Sequence, residues 1–427
     1  MDQQLAEVFE ETANHLAQLA TASSSDIIGD HSIQFDDQVA RNHQLTETFS
    51  KILVKIRALD GFATFLQASP FDSLRTAARE GPIILVNIDG YRSDALILSS
   101  TSSPRLVSLA SDVPNIVIKL SLNMLNIDRS ARAPDRYGVP SRPHNVDIGH
   151  TLGILWEKIC EPIANELQAM GLSVGSRVWW CPIGKLATLP LHAAGIYENG
   201  ALVRGHPDLY ISSYIPTLSS LITSREAAAP EAPQVRLLGV GQSNMLSNVK
   251  GEFQKIQGIF SRDVQLRDCE DALPATVLAD LKNCSWVHFA CHGSLDVTSP
   301  FESGFILHDN KRLSLRQIMQ AKLPNAELAF LAACHSAAAG PNAPDEVLSL
   351  AAAVQFCGFR SIVGTLWTMN DSDGPVLAEA FYKHMLRNGQ ENADVRDSAE
   401  AVHLATKAMR ERGVPIQRWA TFIHLGV

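Results

Sequence analysis

From Val235 to Trp367 the chain repeats one pattern. Short apolar runs, at 235–241, 286–291, 304–308, 327–333 and 361–367, alternate with helical periodicity at 252–260, 276–281, 315–320 and 346–357. Continuous apolar runs of this length read as strands buried on both faces. Strands joined by helices pair as a mostly parallel sheet covered by helices on both sides. The second half of the chain is thereby limited to an open α/β fold, completed by helical patterns at 375–387 and 395–411. In such a fold ligands gather beyond the carboxyl ends of the strands. Two of these runs end on reactive side chains: 286–291 leads into Cys291-His292-Gly293, and 327–333 leads into Cys334-His335-Ser336.

The first half repeats the theme less clearly. Residues 1–80 read as helical, with Leu45, Phe49, Ile52, Leu53, Ile56 and Leu59 on one face and a polar loop from Ser23 to Asp37. The pattern changes at Gly81. Residues 82–88 form a continuous apolar run, Asp89-Gly90 turns the chain, and 95–98 and 115–120 read as further strands. Residues 127–146, rich in Arg, Pro and Asp, read as a surface loop. A helix follows with Leu152, Leu155, Trp156, Ile159 and Ile163 on one face, which Pro162 should kink. Residues 178–182 form another strand, and 190–194 a compact loop. Residues 226–234, Pro- and Ala-rich without periodicity, are the clearest linker. The expected division is therefore a helical segment at 1–80, an α/β half at 81–225, a linker at 226–234 and a second α/β half at 235–427. The sequence shows no convincing internal repeat.

Composition narrows the function. A chain of 427 residues that is 46% hydrophobic and 19% charged is a globular protein of two or three domains. A net charge of −9 disfavours nucleic acid or an anionic membrane surface as the main partner. The cysteines number seven, an odd count without C-x-x-C spacing, and several lie in apolar segments. Reduced thiols and a cytoplasmic location are the expectation. The first twenty residues carry Asp2, Glu7, Glu10 and Glu11, unlike a signal peptide, and no apolar run is long enough for a membrane span.

The chemistry suggested by the two strand ends is nucleophilic. A cysteine at a strand end among Ala332, Ala333, Ala337 and Ala338 leaves room for a substrate backbone, and a thiolate beside a base is a strong nucleophile. His292 is the natural base. Gly293 has no side chain, so its N–H can face an oxyanion together with the N–H of Cys334. Each residue also has a plain structural reading: Cys334 as a buried core thiol, His292 as a loop histidine, His288 as a packed histidine that shares the His292 face. Cys291-His292 and Cys334-His335 also suggest a zinc set, but neighbours on a strand point opposite ways, so both members of a pair rarely converge on one ion. No metal or cofactor is therefore expected. Trp367, Asp371 and Asp373, after the run at 361–367, are candidates for a substrate pocket. Asp371 or Asp373 reads equally as the cap of a helix near Pro375, and Asp345 as the cap of the helix at 346–357.

Taken together, these segments resemble the CHAT family, relatives of the caspases and separases. The resemblance rests on His288-Phe-Ala-Cys-His-Gly293, Leu328-Ala-Phe-Leu-Ala-Ala-Cys334, Pro344-Asp-Glu346, and Gly364-Thr-Leu-Trp367 with Asp371-Ser-Asp373. Upstream, Gly81-Pro-Ile-Ile-Leu-Val-Asn87, Arg177-Val-Trp-Trp180, Leu189-Pro-Leu-His-Ala-Ala194 and Ser213-Tyr-Ile-Pro-Thr217 also look like segments of that family. It covers about residues 45–427. It implies a caspase-like αβα sandwich in which a degenerate half precedes an active one. It also implies a cysteine endopeptidase with a His292–Cys334 dyad, oxyanion donors at the Gly293 and Cys334 amides, a protein or peptide substrate and a regulatory protein partner. The alternative is a catalytically silent or latent interaction module. One departure is His335, where relatives often carry Gln or another polar residue; strand alternation points it away from the site.

Overall fold

The computed structural model describes residues 3–22, 32–62, 65–132, 147–227, 235–294, 296, 299–332 and 350–427. The chain forms two compact units, 1–73 and 74–427. In the first, helices Gln3–Ala22 and Ser32–Arg57 pack together, and Phe9 stacks on Phe49 with ring centroids 5.4 Å apart. Residues 32–37, expected as loop, are the first turns of the second helix.

The second unit is built on strands β1 (Ile83–Asn87), β2 (Asp94–Leu98), β3 (Arg105–Ser108), β4 (Arg177–Pro182), β5 (Gly195–Glu198), β6 (Ala201–Gly205), β7 (Ile211–Tyr214) and β8 (Leu237–Gly241). These are followed by β9 (Val264–Asp268), β10 (Trp286–Ala290), β11 (His292–Ser294), β12 (Gly304–Ile306), β13 (Arg312–Ser314), β14 (Leu328–Leu331), β15 (Ser361–Thr365) and β16 (Phe422–Gly426). Eleven of them make one sheet in the order β3-β2-β1-β4-β7-β16-β15-β14-β10-β8-β9. It is a mostly parallel α/β sheet, as the alternating pattern requires. β5–β6 form a separate hairpin and β11–β12–β13 a separate small sheet, so the run at 304–308 is not a main-sheet strand.

The sheet has two blocks. β1, β4, β7 and β16 run parallel to one another, whereas β16 pairs antiparallel with β15, which starts the block β15-β14-β10-β8-β9. The carboxyl ends of the two blocks therefore face opposite edges. The β16–β7 ladder is short, with Leu425 opposite Tyr214. Side chains reinforce it. His424 Nε2 lies 2.8 Å from Ser361 Oγ and 3.0 Å from Ser398 Oγ, and Nδ1 lies 2.9 Å from Ser213 Oγ. Arg177 Nη2 is 3.3 Å from Nδ1, and a guanidinium can only donate, so Nδ1 accepts and Nε2 carries the proton. Trp179 Nε1 donates to Gly426 O across the same joint at 2.9 Å.

Gly426 holds φ +100°, and a Cβ there would come within 2.1 Å of Arg360 O. Gly426→Ala is expected to destabilise the unit by about 1–3 kcal/mol from the backbone conformation alone, with the clash adding to it. A urea titration that leaves the midpoint unchanged refutes this reading. The buried histidines set an acid limit as well. Burial pushes His206 down to about 3, and burial with the neighbouring Arg177 holds His424 well below the ordinary histidine range. Both are neutral when folded and take up protons when unfolded. Their contribution is present above about pH 6.5 and declines as pH falls below it, for His206 down to about 3, by up to about 1.4 kcal/mol per pH unit for each. Thermal midpoints measured from pH 7 to 4 should fall, and less so in His206→Gln.

Two local expectations are corrected. Residues 115–120 lie in a helix, Val113–Arg132, not a strand. Val113, Val117, Leu120 and Met124 are buried while Ile118 and Leu122 are exposed, which is helical spacing hidden inside a β-branched run. The helix also takes in 127–132 of the expected loop; 133–146 lie outside the described residues. Near Pro162 the chain makes a π-helical turn, Trp156–Cys160, and Pro162 then sits in the first turn of helix Glu161–Ala169, where its missing N–H costs least.

Candidate active site

β10 and β14 are hydrogen-bonded parallel neighbours, with Trp286 opposite Leu328 and Phe289 opposite Leu331. All five residues of β10 and all four of β14 are buried, which is why both runs are continuously apolar. Residues 333–349 lie outside the described residues, so Cys334, His335 and Asp345 have no structural description. In sequence, His292 follows the last residue of β10 by two positions, and Cys334 follows Ala332 by two.

After Ala290 the chain leaves the main sheet and enters β11. There His292 pairs with Ile306, Gly293 with Phe305 and Ser294 with Gly304, in antiparallel register. Leu307 N donates to Lys311 O and Leu315 N to Ser303 O, so the bonded pairs of β12–β13 alternate through Phe305–Leu313. Phe305 therefore directs its N–H and C=O toward β13. Gly293 faces it as a non-bonded pair, and the Gly293 N–H points away from β12, to the open edge of the small sheet. Phe305 stacks on Phe289 at 3.9 Å between ring centroids, pinning this sheet to β10. His292 is on the opposite face and half-buried.

Four residues before His292, His288 is fully buried. Its Nε2 donates to Glu252 Oε1 at 3.0 Å, and Nδ1 lies 3.1 Å from the Tyr382 hydroxyl. Its ring stacks on Phe330 of β14, 4.6 Å between centroids. Burial, with the Glu252 carboxylate beside it, raises Tyr382 well above the ordinary phenol range, so it stays a neutral hydroxyl. Glu252 lies on helix Val249–Ile259 and tucks against Gly374, where a Cβ would come within 2.8 Å of Oε2. The packed reading of His288 holds. Glu252 and Tyr382 escaped sequence reading, although an acid among Val249, Phe253 and Ile256 on the apolar face of a helix is the signal that marks it.

The three pocket candidates are engaged with the fold. Trp367 is buried, and its Nε1 donates to Gln417 O at 2.8 Å. Asp371 Oδ2 accepts from Asn248 N at 3.0 Å and from Asn248 Nδ2 at 2.7 Å, tying its loop to the start of helix Val249–Ile259. Asp373 stands at the N-cap position of helix Gly374–Met385 but makes no cap hydrogen bond. Its carboxylate instead meets Arg418 in a two-point pair, at 2.5 and 2.9 Å. A bidentate guanidinium satisfies more of a nearly buried carboxylate than one helix amide does, so the expected cap at Asp373 is replaced by an ion pair.

Burial holds back three other thiols, pushing Cys181 up to about 11 and Cys284 and Cys357 up to about 12. Cys291 is also buried. Among the described residues no three His, Cys, Asp or Glu side chains are grouped to hold a metal ion. No helix among them is long and apolar enough to cross a membrane.

The CHAT domain profile matches residues 150–427. No curated protein matches the chain. One chain of the Saccharomyces cerevisiae separase–securin complex superposes with a TM-score of 0.52 at 12% identity, covering 99% of this chain and 36% of that one. The present chain thus spans about a third of the length of that neighbour. Gingipain R, an Arg-specific cysteine proteinase, matches with a TM-score of 0.43 at 10% identity, over 62% of this chain and 66% of its own. The complex of Porphyromonas gingivalis RgpB pro- and mature domains matches with 0.41 at 10% identity, over 62% and 67%. The fold is that of the caspase-like cysteine peptidases. Within that class, the chain belongs to the CHAT domain family.

Proposed function

We propose that the protein is a cysteine endopeptidase working through His292 and Cys334. The observation that carries this reading is the pairing of β10 with β14 as parallel neighbours, since one leads to His292 and the other to Cys334. Cys334 Sγ gives its proton to His292 and attacks the peptide carbonyl. His292 then protonates the leaving amine, and water releases the acyl group from sulfur. The open Gly293 N–H and the Cys334 N–H hold the oxyanion. Extended peptide lies along the carboxyl edge of the β15–β9 block, beside the loop carrying Trp367, Asp371 and Asp373. With Asp371 and Asp373 already bonded, that loop contributes shape more than charge.

The half at 81–225 acts as the degenerate partner of the half at 235–427, and the segment at 1–80 stands before both. A regulatory protein partner fits the family, as does the securin in the separase–securin complex. The described cysteines are free thiols, which suits a reducing compartment such as the cytoplasm. The test is labelling of the purified protein with peptidyl cysteine-reactive probes that differ in their terminal residue. Cys269→Ala serves as background, because Cys269 is a part-exposed thiol. Probe-selective labelling that disappears in Cys334→Ala supports the dyad. Absence of labelling with every probe favours a latent or silent interaction module.

A further inference from the structure

His292 shares its face of the small sheet with a cation. Residues in register across neighbouring strands lie on one face. His292 pairs with Ile306, and Ile306 pairs with Arg312, so His292, Ile306 and Arg312 form a row. Ser294, Gly304 and Ser314 form the next row of the same face. The opposite face holds Phe305 and Leu313, both fully buried. On the His292 face Gly304 and Ser314 are buried, whereas the row of His292, Ile306 and Arg312 reaches solvent, with Arg312 exposed.

The guanidinium is fixed in position. Arg312 Nη2 donates to Ser294 Oγ at 3.1 Å and Nη1 to Glu302 O at 2.9 Å. Gly304 lies between Arg312 and Ser294 and leaves the lane between them clear. A Cβ there would come within 2.1 Å of Leu313 O, so the position must stay glycine while the small sheet keeps this form. Among the described residues no carboxylate lies within ion-pair distance of Arg312. Glu302 offers Arg312 only its carbonyl, because its carboxylate is held by Arg316 at 2.7 Å. Lys311 is likewise taken, by Asp309. Arg312 is left as an oriented, exposed cation with donors to spare, since a guanidinium carries five N–H groups.

Its position relative to His292 follows from strand geometry. Ser294, which holds the guanidinium, is two residues from His292, or roughly 7 Å along the strand at about 3.3 Å per residue. A group that protonates the leaving amine stands beside the residues on the leaving-group side of the scissile bond. An extended peptide covers the same distance in about two residues.

We infer that Arg312 is a specificity-determining residue that receives a substrate carboxylate, an Asp or Glu two or three positions beyond the scissile bond on the leaving-group side. This rests on the His292–Cys334 reading. In a chain of net charge −9 an acidic peptide meets general repulsion, so a local, pre-oriented guanidinium is what makes such a side chain acceptable.

The experiment has two arms. In the first, the full chain digests a peptide library, and cleavage sites are mapped by mass spectrometry. Asp and Glu should be enriched two to three positions after the cut. The ratio of turnover on matched Glu and Gln peptides should fall about fivefold in Arg312→Gln, invert toward Lys in Arg312→Glu, and shrink in high salt. In the second, fluorescent Glu and Gln peptides are titrated against Cys334→Ala, alone and combined with Arg312→Glu. Arg312-dependent tighter binding of the Glu peptide supports the inference even when the first arm shows no cleavage, an outcome that would count against the peptidase alone. Cleavage or binding that is indifferent to the acid, or to Arg312, overturns the inference and leaves the dyad standing.

Discussion

Cys334→Ala is expected to fold as the parent chain does and to lose peptide hydrolysis by about 10⁴-fold or more, because covalent catalysis has no second route once the nucleophile is gone. His292→Ala should also be severely impaired, yet recover part of its rate as pH rises toward the ordinary thiol range of about 8.5, where thiolate forms without a base. That difference in pH profile separates nucleophile from base, which a loss of folding does not do. Cys291→Ala is the control. Its side chain is buried, so its rate should stay near that of the parent. Hydrolysis that survives undiminished in Cys334→Ala would remove the dyad assignment.

The second large effect concerns the buried Glu252–His288–Tyr382 chain. Glu252→Ala strands His288 without its Nε2 partner in a site closed to water, which costs about 1–3 kcal/mol before any loss of packing is added. Glu252→Gln keeps an acceptor in place and should cost less. Replacing Glu252 and His288 together by Leu and Phe removes both polar groups and should recover much of the loss, leaving mainly the Tyr382 hydroxyl to re-partner. Urea midpoints for Glu252→Leu, His288→Phe and the double variant form a cycle, and additive losses would show that the pair is not coupled. Turnover should fall along with stability, since the His288–Phe330 stack ties β10 to β14, the strands that lead toward the proposed dyad residues.

How much of this was legible in the sequence depended on where burial came from. β8, β10, β14 and β15 are covered on both faces, so their burial is written as continuous apolar runs and reads directly as strand. In helix Val113–Arg132 the consecutive β-branched residues Ile116, Val117 and Ile118 mask a spacing visible only over a longer window. β16 was not anticipated at all. All five of its residues are buried, but one is His424, whose burial is made tolerable by Ser213, Ser361, Ser398 and Arg177 from distant parts of the chain. No local window contains those partners. In the site, the His292-Gly293 pair stood out by residue type. The orientation of the Gly293 N–H and the row joining His292 to Arg312 depend on the register of β11, β12 and β13, which single-sequence patterns do not fix.

β16 also orders events in time. It follows every other strand in the chain, yet it occupies the middle of the sheet, between β7 and β15. During synthesis the β3–β7 and β15–β9 strips are complete before the strand that joins them has emerged. Until then each strip carries an unpaired edge able to recruit a strand from another molecule. Phe422–Gly426 thus closes both edges at once, and neither strip is covered on that side without it.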